Sequence, residues 1–164
     1  MKSDRKIHCF DDLKRRVLQL DIAPGMPLDE MALSATYGLS RTPLREVLQR
    51  LSGEGYVFIA ANRGASVSSM DMNIMRSFFQ TAPLIYSAVS RLAAENAVSH
   101  QIIALKKIQS RFRKAVRQDA TTDMSMLNHS FHEVIGTMAG NPYLLPSLNR
   151  LLIDHTRMSH RFYR

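Results

Sequence analysis

Glycine is unevenly distributed along this chain of 164 residues, and the asymmetry limits the folds open to it. Five of the seven glycines precede Met70, at positions 25, 38, 53, 55 and 64. Because glycine favours turns and left-handed caps, the first part is expected to contain short elements and the second part long helices. The polar stretch at 68–71 predicts a boundary, which gives domains at residues 1–69 and 70–164.

The first part alternates between helical and strand patterns. Apolar residues at helical spacing predict three helices, over 7–20, 29–37 and 40–54. Gly38 separates the last two by a tight turn. β-rich residues then predict two strands, at 56–59 and 65–68, joined by the turn Ala-Asn-Arg-Gly. The predicted order is helix, helix-turn-helix and hairpin.

The second part has no strand pattern. Helical spacing predicts four helices, over 71–98, 100–118, 121–139 and 143–160. Pro83 lies inside the first of them and predicts a kink or a break. The predicted fold class is therefore mainly α, with an N-terminal winged helix-turn-helix that carries a small β-hairpin, and a C-terminal all-α helical bundle.

The charge balance favours a polyanionic partner. Lys and Arg number 22 against 14 Asp and Glu, which gives a net charge of +8. The single cysteine, Cys9, excludes an internal disulfide, a four-cysteine zinc site and an iron–sulfur cluster held by this chain alone. No long apolar run predicts a membrane span or a signal peptide, so a cytoplasmic, nucleoid-associated protein is expected. No catalytic arrangement is recognisable, and we expect no enzyme.

The third predicted helix carries the residue types that read DNA. A helix-turn-helix places the N-terminal residues of its second helix in the major groove. Arg41 and Arg45 are four residues apart, so they share a face and can reach guanine edges or phosphates, and Arg50 lies further along. Ser40 or Thr42 can cap this helix. The alternative is that these arginines only keep an amphipathic helix soluble.

The predicted hairpin supports the DNA-binding interpretation. Arg63 and Gly64 lie at its tip, where a winged helix approaches a minor groove or the phosphate backbone. Glycine has no side chain to prevent that approach. We therefore expect Arg41 and Arg45 to read bases, and Arg50 and Arg63 mainly to contact the backbone.

Four segments of this part resemble one family. They are APGMPL at 23–28, YGLSRTPLREVLQRL at 37–51, EGYV at 54–57 and RGASV at 63–67. Together they resemble the winged-helix domain of GntR-family bacterial transcription regulators, over nearly all of residues 7–69. The resemblance implies that Arg41, Thr42, Arg45 and Gly64 contact operator DNA. Because one reader helix covers only a few base pairs, a homodimer on double-stranded DNA with an inverted repeat is expected.

The helical half resembles the effector domain of the FadR-type subgroup, called FCD. The similar segments are RLAAEN at 91–96, NHSFH at 128–132 and AGNP at 139–142. The resemblance implies that Asn128 and His132 ligate a divalent metal, Zn²⁺, Ni²⁺ or Mn²⁺, which helps to hold a small carboxylic acid. That family commonly has Asp at the position of Asn128, and its other two metal histidines would follow residue 164. The helical half is therefore expected to be truncated and to bind metal weakly without an organic acid; alternatively, His132 is a core histidine.

The sequence thus predicts a sequence-specific transcriptional repressor whose affinity for its operator is modulated by a small organic acid in the helical domain. The alternative is a constitutive or architectural DNA-binding dimer that senses nothing. In either case the apolar face of the last helix is expected to be covered by a partner chain, through Leu144, Leu145, Leu148, Leu151 and Leu152.

Overall fold

A computed structural model describes residues 2–163 and divides the chain into two compact units, Met1–Met70 and Asp71–Arg164. The first unit contains α1 (Lys2–Leu18), α2 (Glu30–Tyr37), α3 (Arg41–Glu54), β1 (Val57–Ala60) and β2 (Gly64–Val67). The second contains α4 (Met72–Glu95), α5 (Ser99–Arg117), α6 (Thr121–Ala139) and α7 (Leu144–Phe162). The predicted fold class is confirmed: the chain is mainly helical, and the hairpin follows the helix-turn-helix. Within residues 2–163, no helix is both long and apolar enough to cross a membrane.

The turn between α2 and α3 depends on Gly38. Its φ is +60°, in the left-handed region that side chains with a Cβ rarely adopt, and its N–H donates to the Ser34 carbonyl. Arg5 of α1 donates from Nη1 to the Gly38 carbonyl at 3.1 Å. A Cβ on Gly38 would lie 3.2 Å from the same Arg5 nitrogen. The glycine therefore allows both the sharp turn and the close approach of α1.

Helix α3 begins at Arg41, two residues earlier than a Thr42 cap would require. Ser40 is the N-cap residue, although its side chain makes no capping hydrogen bond, and Pro43 is the third residue of the helix. Because the first N–H groups of a helix have no partner within it, the missing N–H of Pro43 costs no hydrogen bond. Of the two predicted caps, the structure therefore selects Ser40 and leaves Thr42 exposed in the first turn.

The hairpin is joined to the segment that precedes α2. β1 and β2 are antiparallel, with Val57 opposite Val67 and Ala60 opposite Gly64. Along the outer edge of β2, the Gly25 N–H donates to the Val67 carbonyl at 3.0 Å and the Leu28 N–H donates to the Ala65 carbonyl at 2.8 Å. These bonds cover the edge of β2 and tie the start of α2 to the wing.

The core of the first unit determines which face of α3 points outward. Side chains of α1 and α3 form this core and are almost completely buried: Leu13, Val17, Leu18, Leu44, Leu48 and Leu51. The leucines of α3 recur at helical spacing on one face. The opposite face of α3 is consequently presented to solvent.

The second unit is a bundle of four helices around a core contributed by α4, α6 and α7. Its central buried residues are Val89, Ala93, Met138, Ala139, Leu148 and Leu152. Helices α6 and α7 approach closely at Gly136, where a Cβ would lie 2.5 Å from Leu148 Cδ2. Gly140 has a φ of +61° and ends α6, as its position in the sequence indicates.

Pro83 does not break its helix. Helix α4 runs without interruption from Met72 to Glu95, although a proline in the interior of a helix removes one backbone hydrogen bond. Apolar side chains on both sides of Pro83, including Phe78, Ala82 and Val89, are buried in the unit. This burial favours a continuous helix, so the predicted break is wrong, while the alternative, a kink at Pro83, stays a prediction.

The apolar face of α7 is covered by its own unit. Leu148 and Leu152 are each 1% exposed and belong to the central core, against which Leu144 also packs. The expectation that a partner chain covers these leucines is therefore wrong for Leu148 and Leu152. Burial within the unit satisfies them, and they are not available to a partner.

Candidate functional site

The outward face of α3 carries a row of polar side chains. Arg41, Arg45 and Gln49 follow one another at intervals of four residues and are all exposed. Thr42 is exposed beside this row. Because the buried leucines occupy the other side, these side chains can enter a groove of DNA without disturbing the core.

Arg45 is held by an acidic residue from another helix. Its Nε donates to Oε2 of Glu30 at 3.1 Å, which joins α3 to the first turn of α2. The Glu30 side chain is 28% exposed, whereas that of Arg45 is 67% exposed. The guanidinium group therefore remains accessible while one of its nitrogens is engaged.

The tip of the hairpin lies beside this row. Arg63 is exposed in the turn, and Gly64 has a φ of +72° with no atom within 4 Å of a Cβ built there. Asn62 also has a positive φ, of +60°. A pocket of about 490 Å³ separates α3 from the wing and is lined by residues that include Glu30, Arg45, Gln49, Asn62 and Gly64. The structure thus places the middle of α3, at Arg45 and Gln49, and the wing on one concave surface.

Arg50 lies on a different side of α3. Five residues correspond to about 140° around a helix, so Arg50 points away from Arg45. Its guanidinium carbon lies 3.9 Å from the ring centroid of Phe10 in α1, and its Nε donates to Glu54 at 3.2 Å. Both contacts hold Arg50 against its own unit. Its role in binding the phosphate backbone stays a prediction.

Three polar residues of the concave surface were not identified from the sequence as site residues. Gln49 could have been found, because it follows Arg45 by four residues on the same helix. Asn62 adjoins the predicted tip of the wing. Glu30 gives no local signal, since 15 residues separate it from Arg45 and only the tertiary fold brings the two together.

The second unit holds His132 among aromatic rings. The ring centroids of Tyr86 and His155 each lie 5.1 Å from that of His132, and Phe131 is 5.7 Å away. Burial, with the imidazoles of His155 and His129 close by, lowers the pKa of His132 from 6.5 to about 4. Its imidazole is therefore neutral at pH 7.

Asn128 lies one turn before His132 on α6, and the two side chains have different neighbours. It lines a small pocket between α5 and α6 together with Ile108, Gln109 and Phe112. The His132 ring instead packs against Tyr86 of α4 and His155 of α7. Within residues 2–163, no three His, Cys, Asp or Glu side chains are arranged so that they could hold a metal ion. Two donors are fewer than a stable metal site ordinarily needs, and the role of Asn128 and His132 as metal ligands stays a prediction.

A buried polar layer between α6 and α7 was also not identified from the sequence. His129 Nδ1 lies 2.7 Å from the Thr156 hydroxyl, and its Nε2 lies 3.2 Å from a carboxylate oxygen of Glu133. Ser125 and His160, both buried, are within hydrogen-bonding distance of each other at 3.1 Å. Asp154 and Arg157 form a buried ion pair in the same region. His129 is thus occupied by neighbours within the bundle.

The helix-turn-helix, the exposed basic row and the adjacent wing together define a winged-helix DNA-binding protein. Comparison with known proteins gives two matches that agree with this class. Residues 8–67 match the family described as bacterial regulatory proteins, gntR family, and residues 79–164 match the FCD domain. The chain belongs to the GntR family, in the group that carries an FCD domain.

Individual relatives are transcription regulators and not enzymes. The chain is 30% identical over 127 residues to the HTH-type transcriptional repressor RspR of Escherichia coli strain K12, covering 77% of this chain and 56% of that protein. It is 27% identical over 133 residues to the Nta operon transcriptional regulator of Aminobacter aminovorans, covering 78% of this chain and 60% of the relative. The chain thus spans a little over half the length of these relatives.

Solved structures share the fold. E. coli McbR/YncC superimposes with a TM-score of 0.78 at 22% identity, over 97% of this chain and 75% of that one. A GntR regulator from Rhodococcus sp. RHA1 gives a TM-score of 0.71 at 18% identity, over 97% and 79% of the two chains. At these identities the likeness concerns the fold.

Proposed function

We propose that the chain is a transcriptional repressor that binds an inverted-repeat operator through α3 and the wing of its first unit. The supporting observation is the exposed row formed by Arg41, Arg45 and Gln49, which lies opposite a fully buried face of the same helix. Arginine can donate two hydrogen bonds to the O6 and N7 atoms of guanine in the major groove. Arg63 and Gly64 at the wing then contact the backbone or the adjacent minor groove.

Binding assays with single arginine variants test this function. The wild-type chain first selects an operator from a library of random duplexes. Replacing Arg45 with Ala should then weaken binding to that operator by about 1–3 kcal/mol and weaken binding to random DNA much less. Arg50→Ala is the matched control, since a backbone contact supports binding to both duplexes to a similar degree. Equal losses on both duplexes for Arg45→Ala would show that Arg45 does not read bases.

The second unit is proposed to respond to a small carboxylic acid. A pocket of about 540 Å³ between α4 and α7 has aromatic walls that include Phe78, Phe79 and Tyr86. The Tyr86 hydroxyl lies 2.8 Å from His155 Nδ1. When His155 donates this hydrogen bond, the hydroxyl hydrogen of Tyr86 is free to donate to a ligand oxygen. The pocket can therefore hold the carbon skeleton while Tyr86 orients the acid group.

A thermal-shift screen of small carboxylic acids tests this sensing role. A ligand that binds the folded state raises the melting temperature, and Tyr86→Phe should abolish the increase. Tyr143→Phe, an exposed tyrosine outside the pocket, is the control and should leave the increase unchanged. If no acid stabilises the wild type, the constitutive DNA-binding dimer replaces the sensor.

A further inference from the structure

The contact between Glu30 and Arg45 is unusual for a DNA-facing surface because it places a carboxylate beside an arginine proposed to read bases. Glu30 accepts from Nε of Arg45 at 3.1 Å. Among the described residues, the two terminal nitrogens of this guanidinium, Nη1 and Nη2, have no partner. One nitrogen is therefore fixed, and the two that can donate together to a guanine edge remain available.

Glu30 itself is held in place by its surroundings. It is the first residue of α2, directly after the N-cap residue Asp29, whose carboxylate accepts from the backbone N–H groups of Met31 and Ala32 at 2.8 and 3.1 Å. Just before this cap, the Leu28 N–H donates to the Ala65 carbonyl in β2 at 2.8 Å. The carboxylate thus stands on a segment that is bonded to the wing, and the N-terminal end of a helix favours its negative charge.

The other arginines of α3 lack such a contact. Arg50 pairs with Glu54, but this acid lies one turn away on the same helix. Arg41 has no acidic partner among the described residues. Of these three arginines, Arg45 alone is joined to an acid from another helix of the unit.

We propose that Glu30 is a positioning residue that fixes the orientation of the Arg45 guanidinium and so determines base preference in the operator half-site. This inference rests on the proposed function, in which Arg45 reads bases. A free arginine side chain loses conformational entropy when it binds a base edge, and an arginine already held at Nε loses less. Glu30 therefore strengthens specific binding even though its charge repels the DNA backbone.

The charge of Glu30 and its positioning of Arg45 change the affinity for the operator in opposite directions, which makes the proposal testable. If Glu30 acted only as a negative charge near phosphates, its removal would strengthen binding to every duplex. If it positions Arg45, its removal weakens binding to the operator while binding to random DNA stays equal or becomes stronger. Gln at this position keeps an oxygen that can accept from Nε without the charge, so Glu30→Gln should fall between the wild type and Glu30→Ala.

The experiment measures the dissociation constants of the full chain for the selected operator and for a random duplex of equal length. Glu30→Ala should weaken operator binding about tenfold, Glu30→Gln should weaken it less, and the base preference should relax at the position that Arg45→Ala also affects. In the Arg45→Ala background, Glu30→Ala should cause no further loss of operator affinity. Glu54→Ala, the matched control, should leave base preference unchanged. Thermal unfolding of each variant confirms that it is folded.

The outcomes separate the inference from the proposed function. If Glu30→Ala strengthens binding to both duplexes, or leaves base preference unchanged while Arg45→Ala relaxes it, the inference is overturned and the proposed function stands. If the wild type selects no operator, or Arg45→Ala keeps full base preference, the proposed function fails and the inference fails with it.

Discussion

His132 illustrates how the surroundings of one residue determine its chemistry. In the folded unit its pKa is about 4, below the ordinary 6.5, because burial disfavours the charged imidazole and neighbouring histidines add to this effect. Burial lowers the pKa of His155 as well. The two rings therefore pack as neutral groups against Tyr86 at neutral pH.

The first prediction is that acid destabilises the second unit through His132. Because the unfolded chain takes up the proton at the higher pKa, the contribution of His132 to stability is present above about pH 6.5 and is lost as the pH falls towards 4. Urea unfolding at several pH values across this range should show that the free energy of unfolding falls less for His132→Gln than for the wild type. His100→Gln, an exposed histidine of α5, should follow the wild type. If the free energies of unfolding of His132→Gln and the wild type fall equally with pH, the prediction is contradicted.

Among the helices, α4 shows that tertiary packing can outweigh the local tendency of a proline to interrupt a helix. Pro83 is exposed in the middle of α4, where it leaves one backbone carbonyl of the preceding turn without its helical donor. The helix continues because its apolar face is buried against the rest of the unit.

The second prediction concerns Pro83, which is unfavourable in the interior of α4. Replacing Pro83 with Ala restores the missing N–H and should stabilise the second unit by about 1–3 kcal/mol. Chemical unfolding monitored by circular dichroism measures the change. Pro146, the third residue of α7, lies where a helix has unpaired N–H groups in any case. Pro146→Ala is therefore the control and should have a much smaller effect.

The third prediction concerns the close approach of α6 and α7. Gly136→Ala would place a Cβ 2.5 Å from Leu148 Cδ2 and should destabilise the unit by about 1–3 kcal/mol through overpacking. Gly53→Ala in α3 is the matched control, because no atom lies within 4 Å of its Cβ position and alanine favours a helix. Unfolding by urea should show a lower free energy of unfolding than the wild type for Gly136→Ala and a higher one for Gly53→Ala. If Gly136→Ala leaves the free energy of unfolding unchanged, α7 shifts to accommodate the added methyl group without loss of stability, which contradicts the prediction.

For the whole molecule, the operator recognition that we propose uses two reader helices. A single α3 contacts only a few base pairs, so a protein that distinguishes an operator from bulk DNA pairs two copies on an inverted repeat. Leu148 and Leu152 do not form the surface for this pairing, because they fill the core of their own unit.

The fourth prediction is that the chain binds its operator as a dimer. Light scattering at micromolar concentration should give twice the 18.6 kDa of one chain. Inserting about five base pairs between the half-sites turns them to opposite sides of the duplex and should weaken binding strongly, whereas about ten base pairs should restore part of it. A monomeric mass, together with an affinity for the operator that does not change with the spacing of the half-sites, would contradict the prediction.

Local sequence signals were enough to predict the order of the elements and the family of this protein. Helices, turns and strands follow from the spacing of apolar residues and from Gly38, Gly55 and Gly140, which end α2, α3 and α6. These signals act between residues close in the chain. The arginines of α3 and the tip of the wing were identified in the same way. The sequence also placed Asn128 and His132 on one helix, although it could not indicate which helices each of them meets.

How side chains from distant segments combine depends on the tertiary packing of the elements. Glu30 meets Arg45 across 15 positions, and Tyr86 meets His155 across 69. The burial of Leu148 within its own unit is equally a property of the packed helices. Hydrophobic periodicity specifies that a face is buried but not what covers it, because apolar burial is non-directional. Which partner each polar group meets therefore depends on the packing of whole elements.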